Sequence, residues 1–168
     1  MWDRLFGTYA PEEEEPVYGI TVPLASWNPV WANFHYWGEL LASARQTRHL
    51  PDKIRIFLKP PGWQPAELGG FVPPPEVDRP RYRKFDTPLA GRRALYVFVH
   101  FAAVLAVSAG LLYAQGRLPF PVLLGGAGFV LISLVALSAL IERRPWAPAL
   151  EAARLVAAIL AAATFSWR

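Results

Sequence analysis

Apolar residues gather in long unbroken runs in the second half of the chain and in short, spaced groups in the first. Residues 94–114 and 121–141 are each 21 residues long and carry no formal charge when His100 is neutral. At 1.5 Å per residue such a run reaches about 31 Å as a helix, against a hydrocarbon core of about 30 Å. Backbone polar groups in lipid must be satisfied within the segment, so helix is the expected form. The six-residue link 115–120 makes the two runs an antiparallel hairpin. A third apolar segment, 147–167, contains Glu151 and Arg154. Each would cost roughly 2.5–3.5 kcal/mol at the centre of a span. They stand three apart, near one end, where they can pair and reach toward the headgroups. The segment reads as a third spanning helix, with an interfacial or re-entrant helix as the alternative.

The first half has a different rhythm. Asn28 and Pro29 suit the cap and first position of a helix. Val30, Phe34, Trp37, Leu41 and Ala44 then recur at spacings of 4, 3, 4 and 3, a continuous apolar stripe that predicts a helix over about 29–48. Arg45 and Arg48 stand where cations suit the helix dipole. Residues 51–58 predict a second, short helix. From Lys59 to Arg93 the prolines and glycines predict an irregular linker with little strand. So irregular a stretch buries little on its own and is expected to lie along a protein or membrane surface. The overall expectation is an all-α integral membrane protein. Residues 1–93 form an irregular, partly helical cytoplasmic segment, and 94–168 a membrane domain with two transmembrane helices and a third.

Charge sharpens this division. Residues 1–93 hold 12 of the 17 basic residues, 11 of the 13 acidic residues and most of the 17 prolines. The net charge of +4 is too small and too scattered to mark a nucleic-acid binder. Arg79, Arg81, Arg83, Lys84, Arg92 and Arg93 do cluster directly before the first apolar run. Tyr82 and Phe85 among them could indicate RNA, but anionic lipid headgroups fit a cluster beside a membrane span better. Arg143 and Arg144 follow the second run, and Arg117 is the lone basic residue between the two. The positive-inside rule therefore places the polar half in the cytoplasm. No secretory signal is visible at the N-terminus. The Ala-, Arg- and Pro-rich composition points to a bacterial inner membrane.

Candidate chemistry is sparse. With no cysteine, disulfides, thiolate metal sites and cysteine nucleophiles are excluded. His35, His49 and His100 show no ligand spacing, and no nucleophile elbow, phosphate loop or HExxH motif is present. His100 lies inside a span, where ionisable groups are functional candidates. With no acidic partner on its own helix, it reads as a packed, hydrogen-bonded neutral histidine. His35 reads as an interface residue. Glu12–Glu15 reads as a solvated run rather than a metal site. Gly125, Gly126 and Gly128 permit close helix approach.

The opening block is dense in aromatics and looks like packed interior rather than a frayed terminus. Trp2-Asp3-Arg4-Leu5-Phe6-Gly7-Thr8-Tyr9, with Pro11-Glu12 and Pro16-Val17-Tyr18-Gly19-Ile20 after it, closely resembles the fatty acid hydroxylase superfamily, also called the sterol desaturase family. Ser26-Trp27-Asn28-Pro29-Val30-Trp31 and Pro60-Pro61-Gly62-Trp63 extend the resemblance toward bacterial members and the alkylglycerol monooxygenase branch. It covers roughly residues 2–65. The resemblance implies an integral-membrane, oxygen-dependent enzyme that hydroxylates or desaturates lipid C–H bonds at a di-iron centre held by clustered histidines. The histidine boxes of that family, of the HxxxH and HxxHH kind, are missing here. No iron ligand, catalytic residue or cofactor therefore carries over to this chain. Trp2, Asp3, Arg4, Leu5, Phe6, Gly7 and Thr8 carry over as a structural block, with Asp3 and Arg4 pairing to each other or to the missing core. The expectation is the C-terminal portion of a lipid hydroxylase, inactive alone. It would be a fragment or a misassigned start, or a split subunit completed by a histidine-bearing chain. The alternative is a non-catalytic membrane anchor whose cytoplasmic arm binds a partner.

Overall fold

The computed structural model describes residues 2–11, 22–73, 75–78, 80 and 82–166. Six helices carry the described chain: α1 (Trp2–Leu5), α2 (Pro29–Gln46), α3 (Leu50–Leu58), α4 (Gly91–Ala114), α5 (Phe120–Ile141) and α6 (Ala147–Ser166). A single 3-10 turn, Ala66–Leu68, lies between α3 and α4, and there is no strand among the described residues.

Local chemistry accounts for the ends of α2. Asn28 Oδ1 accepts from the amides of Val30 at 2.9 Å and Trp31 at 3.2 Å. This satisfies two of the orphan donors that every helix start exposes, and such a cap contributes typically about 1 kcal/mol. At the other end Lys53 Nζ donates to the Ala44 carbonyl at 2.9 Å, placing a cation on the negative pole. The α2 and α3 pair then closes through Trp37 and Phe57, whose rings stack with centroids 6.4 Å apart. Between the two helices Thr47 is 2% exposed, and its hydroxyl donates to Glu67 in the 3-10 turn. The same carboxylate accepts the Arg48 amide at 2.9 Å. The Thr47 hydrogen bond leads the influences that hold the Glu67 carboxyl below its ordinary range.

The proline-rich stretch is irregular but not loose. Val72 donates its amide to the Gly62 carbonyl at 2.8 Å, and Gln64 to Gly70 at 3.2 Å. Gly62 takes φ +85°, and a Cβ there would stand 2.5 Å from the Val72 carbonyl oxygen. Only glycine fits this turn.

In the second half α5 is the middle helix, packed on α4 and on α6, and α2 also reaches it. Its buried positions include Ser133, Ala136, Ser138 and Ala139, small residues that let neighbouring backbones come close. The serine hydroxyls donate back to their own helix, Ser133 to Phe129 at 2.7 Å and Ser138 to Val135 at 2.8 Å. No polar hydrogen is left facing an apolar wall. Of the three glycines in this helix, only Gly126 meets a neighbour at close range. A Cβ there would lie 2.7 Å from Leu111 Cδ2 of α4, while Gly125 and Gly128 face open space.

α4 and α5, at 24 and 22 residues, are long and apolar enough to cross a membrane. Their large side chains, Phe98, Leu112, Phe120 and Leu124 among them, point outward and are exposed. The core helix of a soluble protein would bury such residues. α6 is a helix of 20 residues but is not among the spans that meet this test.

Candidate functional site

Two polar constructions stand out, one between α4 and α6 and one at the end of α5. Tyr96 and His100 lie four apart on α4, with ring centroids 4.2 Å apart. Glu151 and Arg154 lie three apart on α6 and are 7% and 6% exposed. Arg154 Nε donates to Glu151 Oε2 at 2.8 Å, and its Nη2 reaches Glu151 Oε1 at 2.5 Å. The Tyr96 hydroxyl donates to the same Oε1. Arg154 Nη2 also stands 3.0 Å from His100 Nδ1. An arginine only donates, so Nδ1 is the acceptor in that contact. Among the described residues no buried side-chain nitrogen or oxygen lacks a partner.

The sequence anticipated the pair of Glu151 and Arg154, but as charges reaching toward headgroups. They instead turn inward onto α4, because Tyr96 and His100 supply the remaining donor and acceptor there. The spacing of four between Tyr96 and His100 was the available signal, and it was missed because the partner helix starts about fifty residues later.

The second construction joins the polar half to the membrane helices. Glu142 ends α5, and its Oε1 accepts from the Ser26 hydroxyl at 2.8 Å and the Trp27 amide at 2.6 Å. Its Oε2 accepts from Arg144 Nε at 2.8 Å. Burial works to raise the Glu142 carboxyl, but the Ser26, Trp27 and Arg144 hydrogen bonds outweigh it and hold the group below the ordinary range. The Trp27 indole donates to Thr87 Oγ1 at 2.7 Å and packs on Phe85, with ring centroids 5.5 Å apart. Ser26, Trp27 and the segment 85–88 thus lie at the end of the helical hairpin, a surface of the chain itself.

The remaining anticipated residues are not brought to either construction. In and just after α1, Trp2, Leu5 and Phe6 are exposed, Trp2 at 70%, and Trp2 stacks on Phe6. Arg4 lies over the Tyr9 ring, 4.6 Å from its centroid, rather than against Asp3. The Asp3 carbonyl accepts from the Thr8 and Tyr9 amides, and Gly7 turns the chain at φ +68°. In the basic cluster Arg83, Lys84, Arg92 and Arg93 are exposed. Arg79, Arg81 and the Glu12–Glu15 run lie outside the described residues.

The residues present do not fit a di-iron centre. No group of three or more His, Cys, Asp or Glu side chains converges among the described residues. His35 Nδ1 contacts its own helix at Ala32 O, 3.1 Å away, and His49 begins α3. His100 is engaged by Arg154.

Two apolar helices of spanning length with outward-facing hydrophobic side chains mark a membrane protein whose regular structure, among the described residues, is helical. Residues 94–166 match the alkylglycerol monooxygenase C-terminal domain family. By sequence the chain is similar to the C-terminal part of alkylglycerol monooxygenases. It is 30% identical over 156 residues to an alkylglycerol monooxygenase of Xenopus tropicalis, covering 92% of this chain and 35% of that protein. It is 31% identical over 163 residues to one of Danio rerio, covering 95% and 36%. The human alkylglycerol monooxygenase is 29% identical over 156 residues, covering 92% and 35%. The chain therefore spans about a third of the length of these curated relatives. No solved structure matches.

Proposed function

We propose that this chain is the membrane-anchoring C-terminal part of an oxygen-dependent lipid monooxygenase of the alkylglycerol type, inactive without a histidine-bearing core that holds the iron. The observation that carries this reading is the similarity to alkylglycerol monooxygenases over more than nine-tenths of the chain. An alkylglycerol is a glycerol ether of a long hydrocarbon chain, a substrate that resides in the bilayer.

Each part of the chain then has a task. α4, α5 and α6 anchor the assembly as three spans, residues 94–168 forming the membrane domain. Glu151 and Arg154, neutralised against each other and against α4, make a third crossing affordable. Residues 1–93, on the cytoplasmic side of a bacterial inner membrane, carry the docking surface. Support for that surface comes from α2, where Trp31, Phe34, Trp37 and Leu41 are all exposed, and from the separately exposed block Trp2–Thr8. Apolar area of this extent, rimmed by charge, marks a protein contact. The same surface also favours the second reading, a non-catalytic anchor that holds a partner through its cytoplasmic arm.

Co-expression separates the two. The chain is placed in membranes alone and with the histidine-bearing remainder of an alkylglycerol monooxygenase, and oxygen-dependent conversion of an alkylglycerol is measured. We expect no conversion and no stoichiometric iron alone, and conversion when the two parts are combined. Turnover by the chain alone, or a bound iron pair in it, would overturn the proposal. Co-purification without conversion favours the anchor.

A further inference from the structure

Two adjoining hollows at the Glu142 end of the helical hairpin have no assigned role. The first is an apolar groove of about 510 Å³ between α4 and α5, lined by Trp27, Val97, Phe98, Phe101, Leu134 and Ile141. The second is a pocket of about 470 Å³ lined by Pro88, Leu89, Arg92, Arg93 and Arg143. The first turn of α4 contains no acidic residue, and no carboxylate among the described residues forms an ion pair with Arg92, Arg93 or Arg143. Among the described residues the only side-chain hydrogen bond from this trio is a long one, Arg143 Nη2 to the Pro88 carbonyl at 3.4 Å.

The two hollows are continuous in register. Arg93, Val97 and Phe101 stand four apart along one stripe of α4, Arg93 lining the pocket and the other two the groove. On the opposite wall Ile141 precedes Arg143 by two residues. From Arg93 to Phe101 the helix rises about 12 Å, most of one leaflet's hydrocarbon depth of about 15 Å.

We propose that this composite site binds one anionic glycerophospholipid, its phosphate among Arg92, Arg93 and Arg143 and one acyl chain along the α4–α5 groove. Charge complementarity selects the occupant. Three guanidiniums with no ion-pair partner among the described residues line one pocket and repel one another, and a phosphodiester oxygen pair matches their planar donor forks. The groove below them opens on the lipid-facing side of two spanning helices, where an acyl chain is the available apolar partner. A basic stretch before a span attracts anionic membranes in general. Adding Arg143 and the groove turns that diffuse attraction into a site for a single molecule. The proposal requires membrane insertion but not the oxygenase reading, so either can fail without the other.

The purified full chain in neutral detergent is titrated with phosphatidylglycerol, with phosphatidylcholine and with inorganic phosphate, and lipid adducts are read by native mass spectrometry alongside thermal unfolding. Phosphatidylglycerol should form a one-to-one adduct and raise the unfolding temperature, with phosphatidylcholine weaker by roughly tenfold or more. The variant R92Q/R93Q/R143Q should bring phosphatidylglycerol down to the phosphatidylcholine level. Leu134→Trp, which fills the groove, should weaken phosphatidylglycerol while leaving the arginines untouched. Equal binding of the two lipids by the unaltered chain would overturn the proposal, and so would undiminished phosphatidylglycerol binding by either variant. Full displacement of the lipid by inorganic phosphate would also overturn it, because the site would then read a phosphate alone. Should the triple variant fail to fold, R143Q alone and the two-lipid comparison still decide.

Discussion

Arg154 Nη2 lies 3.0 Å from His100 Nδ1, joining α6 to α4 across 54 residues of sequence. The contact completes a closed circuit in which Glu151 accepts from Tyr96 and from Arg154, and Arg154 donates to both Glu151 and His100. Each charge has a partner of opposite sign or a matching dipole, so the circuit can sit between helices without water. Its rigidity is also its weakness. Every member depends on another, and removing one leaves a charged or polar group stranded.

Arg154→Met should therefore destabilise the packing of α4, α5 and α6 strongly, by about 3–5 kcal/mol, because Glu151 is left as a buried carboxylate without its cation. The double variant E151Q/R154M removes both charges and should cost clearly less than Arg154→Met alone. Thermal unfolding in detergent, compared across the two variants, reads the difference. Equal losses would mean the pair does not act as a pair.

The glycines of α5 should separate in the same assay. Gly126→Ala pushes a methyl into Leu111 and should cost about 1 kcal/mol, which L111A placed beside it should relieve. Gly125→Ala and Gly128→Ala meet nothing and should be neutral or stabilising by roughly 0.5–1 kcal/mol, the gain of alanine over glycine in a helix.

What the sequence disclosed follows the range of the interactions. α2 was legible because its signals are local: the Asn28 cap, Pro29 behind it, and apolar residues at alternating spacings of 4 and 3. α4 and α5 were legible from length alone. The circuit of Tyr96, His100, Glu151 and Arg154 was not, since it depends on how α4 and α6 are rotated about their own axes when both pack on α5. The bond from Ser26 to Glu142 crosses 116 positions and has no local signature. Sequence spacing treated Gly125, Gly126 and Gly128 alike, and only packing singles out Gly126.

In the proline-rich stretch, Gly62→Ala should open the turn that returns Val72 to Gly62. Its φ of +85° and the 2.5 Å approach to the Val72 oxygen together should cost roughly 1–3 kcal/mol of local stability. Limited proteolysis between residues 59 and 73 should accelerate. Gly38→Ala is the control, since it lies in α2 with nothing within 4 Å and should leave cleavage unchanged.

Orientation rests on charge and is tested by removing it. Replacing Arg79, Arg81, Arg83, Lys84, Arg92 and Arg93 by neutral residues should loosen or invert the proposed insertion. Accessibility of a reporter fused before residue 94 reads the outcome. A reporter that stays cytoplasmic would show that another determinant sets the topology.

The latch at Glu142 should respond to acid, and the sign follows from the direction of its shift. Its carboxyl in the folded chain is held below the ordinary value by Ser26, Trp27 and Arg144, which outweigh burial. Such a group binds its proton more readily when unfolded, at about pH 4.3, than when folded. Its contribution is therefore complete above that pH and is lost as pH falls through the lower, folded value. Protonation replaces an acceptor of charge-assisted bonds with a neutral acid, and the Ser26–Trp27 segment should then leave the end of α5. Hydrogen exchange at the Trp27 amide reads this directly, slow at neutral pH and, after correction for the intrinsic rate, less protected in acid. Glu142→Gln should lose that protection at neutral pH as well, and its exchange should show no acid step. Protection that persists unchanged in the variant would mean that Trp27 is held by Thr87 and Phe85, with the carboxylate a bystander.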